Sequence, residues 1–174
     1  SNEKSSVEGE ITGVFINSCT ASAGGAVYAD YQGKIPELSI PKKMQTKLTI
    51  SATTVNNCGA ENGFGIYATA SDIRISGVNF ADLPAFGDSN SVCAVSSIVY
   101  LDGPQDLLHG ISLEKSVIHL VDEFSIYDHA TVTLVSDTAV SPYLMKIDRG
   151  NISDVVGYFT IVLPDGFLTE KNGK

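Results

Sequence analysis

The chain of 174 residues is long enough to bury one sizeable core, and no shift in composition divides it, so a single domain over 1–174 is expected. Lys and Arg total 11 against 20 for Asp and Glu, and the resulting formal charge of -9 repels a nucleic-acid backbone or an anionic lipid surface. Apolar residues make up 43% but nowhere form the run of about 18 that a membrane-spanning helix requires.

The opening Ser1-Asn2-Glu3-Lys4-Ser5-Ser6 is polar and lacks the apolar stretch of a signal peptide, so any export signal is expected to be already removed or to lie outside the sequence. Residues 11–29 then align without a gap on residues 50–68. Ile11 matches Ile50, Asn17 matches Asn56, Cys19 matches Cys58, Gly24 matches Gly63, and Tyr28-Ala29 matches Tyr67-Ala68. A third copy opens as Ile75-Ser76-Gly77-Val78-Asn79-Phe80 and drifts after Leu83. The three copies start 39 and then 25 residues apart, and the surplus falls in a Pro/Lys-rich loop at about 30–47. Pro41 to Gln45 within that loop, and Asp102 to Leu108 further on, are the only stretches where a short helix competes, and neither is long enough to hold one.

From Ile98 onward the signature disappears, but a strand rhythm runs through the copies and beyond them. Leu48–Ser51, Ile73–Ser76, Ile98–Leu101, Val117–Leu120 and Thr131–Leu134 alternate apolar with small or polar residues, giving each strand one buried and one wet face. Ile111 to Leu113, Phe124 to Tyr127, Tyr143 to Ile147 and Tyr158 to Leu163 read as further strands, and Pro164-Asp165-Gly166 marks a turn before a polar tail. Units of 20 to 30 residues made of short strands cannot bury an apolar side alone, so neighbouring units must stack. The expected fold is therefore all-β, a right-handed parallel β-helix (solenoid), with a divergent C-terminal capping segment at about 140–174.

In such a stack each residue lies over its equivalent at about 4.8 Å, so identical residues form ladders. Asn17 over Asn56 is expected as a buried amide ladder in a turn column that tolerates left-handed backbone. Cys19 over Cys58 is expected as a small, inward-facing thiol pair, with a disulfide open as an alternative. Gly24-Gly25 and Gly63-Phe64-Gly65 mark a sharp corner where a Cβ would crowd. No Lys-Ser/Thr or helix start follows them, which excludes a phosphate cradle.

Phe15-Ile16-Asn17-Ser18 followed by Gly24-Gly25-Ala26-Val27-Tyr28 resembles the F-x-x-N and G-G-A-[ILV] signature of polymorphic outer-membrane protein repeats, and also the G-G-[AG]-[IV]-Y repeats of large surface proteins of gut bacteria. The likeness covers residues 11–83, and it departs from the pattern where Asn stands one place early and where the second copy reads Gly-Phe-Gly-Ile. It implies a bacterial β-helix that is secreted or displayed on the cell surface, adhesin-like, with a glycan or a host or cell-surface protein as partner.

Three cysteines, Cys19, Cys58 and Cys93, make neither a disulfide framework nor a zinc pattern. His109, His119 and His129 recur every ten residues, which is no helical face, and no acidic or thiol ligand keeps a fixed offset from them. No serine sits in a nucleophile elbow. The rival enzymatic reading is polysaccharide cleavage, which needs clustered carboxylates, with or without Ca²⁺. Asp82 with Asp88, Asp122 with Glu123 and Asp128, and Lys146 with Asp148 and Arg149 are the local groupings. A third class is a subunit of an extracellular filament whose ends stack. The sequence points to no cofactor, metal or catalytic residue, and Tyr28, Tyr67 and Tyr100 stand as stacking platforms for a glycan or as ladder residues.

Overall fold

A computed structural model of the protein describes residues 7–30, 46–81, 90–105, 109–121, 124–126, 129–135, 145–147 and 157–163. One six-stranded sheet has the order β1 (Val7–Thr12), β5 (Thr46–Ser51), β9 (Ser71–Ser76), β12 (Ile98–Asp102), β15 (Val117–Leu120) and β18 (Met145–Ile147). A second runs β4 (Val27–Asp30), β8 (Ile66–Thr69), β11 (Val92–Val95), β14 (Gly110–Glu114), β17 (Ala130–Leu134) and β19 (Phe159–Val162). Between them in the chain lie a three-stranded sheet of β2 (Phe15–Asn17), β6 (Thr54–Asn56) and β10 (Asn79–Phe80), and the pairs β3 (Thr20–Ala23) with β7 (Gly59–Asn62) and β13 (Pro104–Gln105) with β16 (Ser125–Ile126).

Every pairing among the described strands is parallel. Parallel neighbours cannot be joined by a tight hairpin. The chain accordingly leaves the first sheet, crosses the intermediate strands, enters the second sheet and returns, adding one strand to each six-stranded sheet on every pass. The pairing follows the sequence alignment residue for residue: Ile11 lies beside Ile50 and Ile50 beside Ile75, Asn17 beside Asn56, and Tyr28 beside Tyr67. Alternation then sends Ile50, Ile73, Ile75, Val99, Leu101, Ile118 and Leu120 inward from one sheet, where they meet Ile66, Val92, Ile111 and Val132 from the other and Val55 and Phe80 from the third in one core.

The corners recur at fixed register. Gly13, Ala52, Gly77 and Gly103 all have positive φ where the first sheet ends, Ser18 and Asn57 after the three-stranded sheet, Gly24 and Gly63 before the second sheet, and Ala70, Ser96 and Lys115 on the return. The glycine corner behaves as the sequence implies: a Cβ on Gly25 would overlap the Phe64 carbonyl oxygen, and one on Gly65 the ring of Phe80.

Four expectations are refined. The left-handed residues are Ser18 and Asn57, one place after the paired Asn17 and Asn56, because the asparagines are still in extended strands. Asp30 belongs to β4 and Thr46-Lys47 to β5, so those ends of the expected loop are strand, while 31–45 lie outside the described residues. In the stretch from Asp102, Asp102 ends β12 and Pro104-Gln105 form β13, a conformation the proline at its start permits. Of the expected cap, Met145–Ile147 and Phe159–Val162 extend the two large sheets in parallel, and most of the remainder lies outside the described residues.

Candidate binding faces

Backbone groups at the corners are paired by buried side chains that the sequence reading missed. Ser71, Ser97 and Ser116 each follow a left-handed residue and stack in a column. The amide of Ser71 donates to Ser97 Oγ at 3.1 Å and that of Ser97 to Ser116 Oγ at 3.0 Å. Each hydroxyl in turn has a carbonyl two residues back within donating distance, those of Thr69, Val95 and Glu114. Gln105 plays the same part elsewhere: its buried Oε1 accepts from Val78 N–H, and its Nε2 donates to the Ile75 and Asp102 carbonyls. These groups hold the corners and thereby fix which residues face outward.

Two outward columns carry aromatic and charged groups. On the second sheet Tyr28 and Tyr67 stack with centroids 5.6 Å apart and ring planes 4° from parallel, and Tyr28 is 57% exposed. Its hydroxyl reaches Asp30 Oδ2 at 3.5 Å, and partial desolvation followed by the Asp30 charge pushes its pKa up. On the first sheet Glu10, Thr49, Arg74, Tyr100 and His119 succeed one another in register. The Arg74 guanidinium lies 5.7 Å from the Tyr100 ring centroid and pairs with Asp102 at 2.6 Å, and Tyr100 meets His119 edge to face at 5.0 Å. Lys47 pairs with Glu8 at 3.0 Å on the same sheet.

The three tyrosines are thus divided between two sheets. All three are ladder residues first: Tyr28 and Tyr67 turn a ring face to each other, and Tyr100 is packed between Arg74 and His119. What these columns offer a ligand is a row of hydroxyl, guanidinium and imidazole edges at strand spacing.

The amide ladder is present, with Asn56 Nδ2 donating to Asn17 Oδ1 at 3.0 Å, but it faces solvent instead of filling a buried turn. Cys58 is buried in the core and Cys19 packs half-buried against it; no disulfide joins any of the three cysteines. Burial pushes the Cys58 thiol up from its ordinary value.

The histidines do not converge. His109 Nε2 lies 2.8 Å from the Phe80 carbonyl oxygen and its ring is tilted against Phe64, His119 belongs to the outward column, and His129 Nε2 lies 2.6 Å from Thr160 Oγ1. Among the described residues no group of three His, Cys, Asp or Glu is placed to hold a metal ion, and no helix is long and apolar enough to cross a membrane. Asp82, Asp88, Asp122, Glu123, Asp128, Asp148 and Arg149 lie outside the described residues, as does the side chain of Lys146. Comparison with family models, with curated proteins and with solved structures finds no match to this chain.

Proposed function

We propose that the chain is a right-handed parallel β-helix module of a secreted or cell-surface protein that acts by binding or scaffolding. The coil reading rests on the passes that return in register with a left-handed residue at each equivalent corner. Right-handedness follows from the sense taken by about 98% of parallel crossovers. Location rests on the resemblance of residues 11–29 to surface-protein repeats. The observation that carries binding is the outward column through Arg74, Tyr100 and His119, a row of hydrogen-bonding edges on a rigid sheet.

The net charge of -9 favours a neutral or cationic glycan or protein over an anionic one. A glycan array probed with the protein and with Arg74→Ala tests this. Saturable retention that the substitution weakens is expected, and equal retention of the two proteins contradicts the assigned face. Incubation with polysaccharides, with and without Ca²⁺, tests the absence of chemistry, because unsaturated or shortened products would sink the non-enzymatic reading.

A further inference from the structure

The two ends of the stack are unlike its middle. Among the described residues, the large apolar side chains that stand exposed are Val7, Val14, Phe15 and Tyr28 on the first pass, and Val135, Ile161 and Val162 on the last two. Two of them occupy core positions. Val14 is 42% exposed, whereas Thr53, which follows the equivalent left-handed corner on the next pass, is 1% exposed. Ile161 is 50% exposed, whereas its register partner Val132 is 0% exposed. One core position at each end, Val14 and Ile161, therefore stands open to solvent, whereas Val27 and Ala29 on the leading edge and Phe159 on the trailing edge are buried.

Those ends are also complementary. β1 and β18 are the opposite edges of one parallel sheet, and β4 and β19 the opposite edges of the other. If β18 of one molecule lay beside β1 of the next, the registers would put Met145 by Gly9, Ile147 by Ile11 and Lys146 by Glu10. That alignment joins apolar positions to apolar or small ones and a lysine position to a glutamate. On the second sheet the same shift sets Ile161 beside Val27, two members of one inward column. Both sheets would continue unbroken through the junction.

We propose that the two ends form a heterologous interface between copies of this chain, which stack head to tail. The proposal rests on the coil reading above. Joining unlike ends satisfies the edge amides and carbonyls of both molecules and leaves a new open end at each extremity, so assembly does not close.

Sedimentation of the protein over a wide concentration range tests it, together with Val14→Lys, which spoils the leading end, and Ile161→Lys, which spoils the trailing end. The unsubstituted chain is expected to grow past the dimer as concentration rises. Each variant alone is expected to remain monomeric, and an equimolar mixture is expected to form a one-to-one complex and no larger species. A monomer at every concentration overturns the proposal, and so does dimerisation of either variant by itself, which would mean that like ends meet. Circular dichroism and the melting temperature check that the variants fold; Val14→Thr and Ile161→Thr, expected to shift assembly to higher concentration, serve if the lysines disturb folding. A folded monomer would leave the coil reading intact, whereas loss of the β signal in the unsubstituted chain would count against the coil itself.

Discussion

Ser97 sits where two backbone problems meet, and its hydroxyl answers both. It accepts from the buried Ser71 amide and lies within donating distance of the Val95 and Ala68 carbonyls. Ser97→Ala would leave the Ser71 amide without that partner in a site closed to water, at a cost of about 1–3 kcal/mol. Asn56→Ala removes a bond of similar length at the surface, where water replaces it, and should cost only about 0.5 kcal/mol. Urea unfolding of both variants checks the contrast; equal losses would contradict the assignment of the serine column as the stronger ladder. The asparagine pair was legible because the same residue recurs in an ungapped alignment, although its burial was not. The serine column was hidden because its members are 26 and then 19 residues apart and serine is common.

Cys58 gives the molecule an alkaline limb. The folded thiol keeps its proton to a higher pH than the unfolded one, so its contribution to stability is complete below the ordinary value of 9.0 and is lost as pH rises through the raised folded value. Unfolding free energy should fall as pH climbs above 9.0, and Cys58→Ala should flatten that fall while lowering stability at neutral pH through the cavity it leaves. Denaturant titrations across that range read both effects.

At the scale of the element, the corners govern the strands. Gly13, Gly77 and Gly103 take positive φ freely, whereas Ala52 holds the equivalent corner at φ 45° with a Cβ that disfavours it. Ala52→Gly should therefore stabilise the protein by about 0.5–1 kcal/mol, the strain relieved exceeding the entropy gained by the unfolded chain. Gly63→Ala should do the reverse, since its φ is 59° and a Cβ would press on the Ile66 carbonyl oxygen and on Cys93. A loss of about 2 kcal/mol or more is expected. Melting temperatures that move in the same direction for both would contradict the corner assignment.

Strands were the most legible part of the sequence. Alternation located Leu48–Ser51, Ile73–Ser76, Ile98–Leu101, Val117–Leu120 and Thr131–Leu134 within a residue or two of their ends, because each buries one face and wets the other. Short connecting strands such as β13 were not legible. Pro104-Gln105 is two residues long, too short for any period, and it is held by the Gln105 side chain reaching Val78 and Ile75.

For the whole molecule, the ungapped alignment of residues 11–29 with 50–68 carried more than composition or any local propensity, since it stated in advance which residue lies beside which. It reached the first three passes and stopped where the side chains diverge. Ile98 beside Asp72, for example, shares no chemistry, and only the backbone register joins them. The outward column through Arg74, Tyr100 and His119 was illegible for the same reason, as three unlike residues from three passes meet only once the register is known.

That register is open to direct observation by nuclear Overhauser spectroscopy on the isotope-labelled protein. Amide and α protons of Ile50 should contact those of both Ile11 and Ile75, those of Ala68 both Ala29 and Ala94, and those of Leu101 both Ile75 and Leu120, all in the parallel pattern. Antiparallel contacts between chain-adjacent strands, such as β8 with β9 or β14 with β15, in place of these would contradict the stacked parallel passes on which the proposed coil depends.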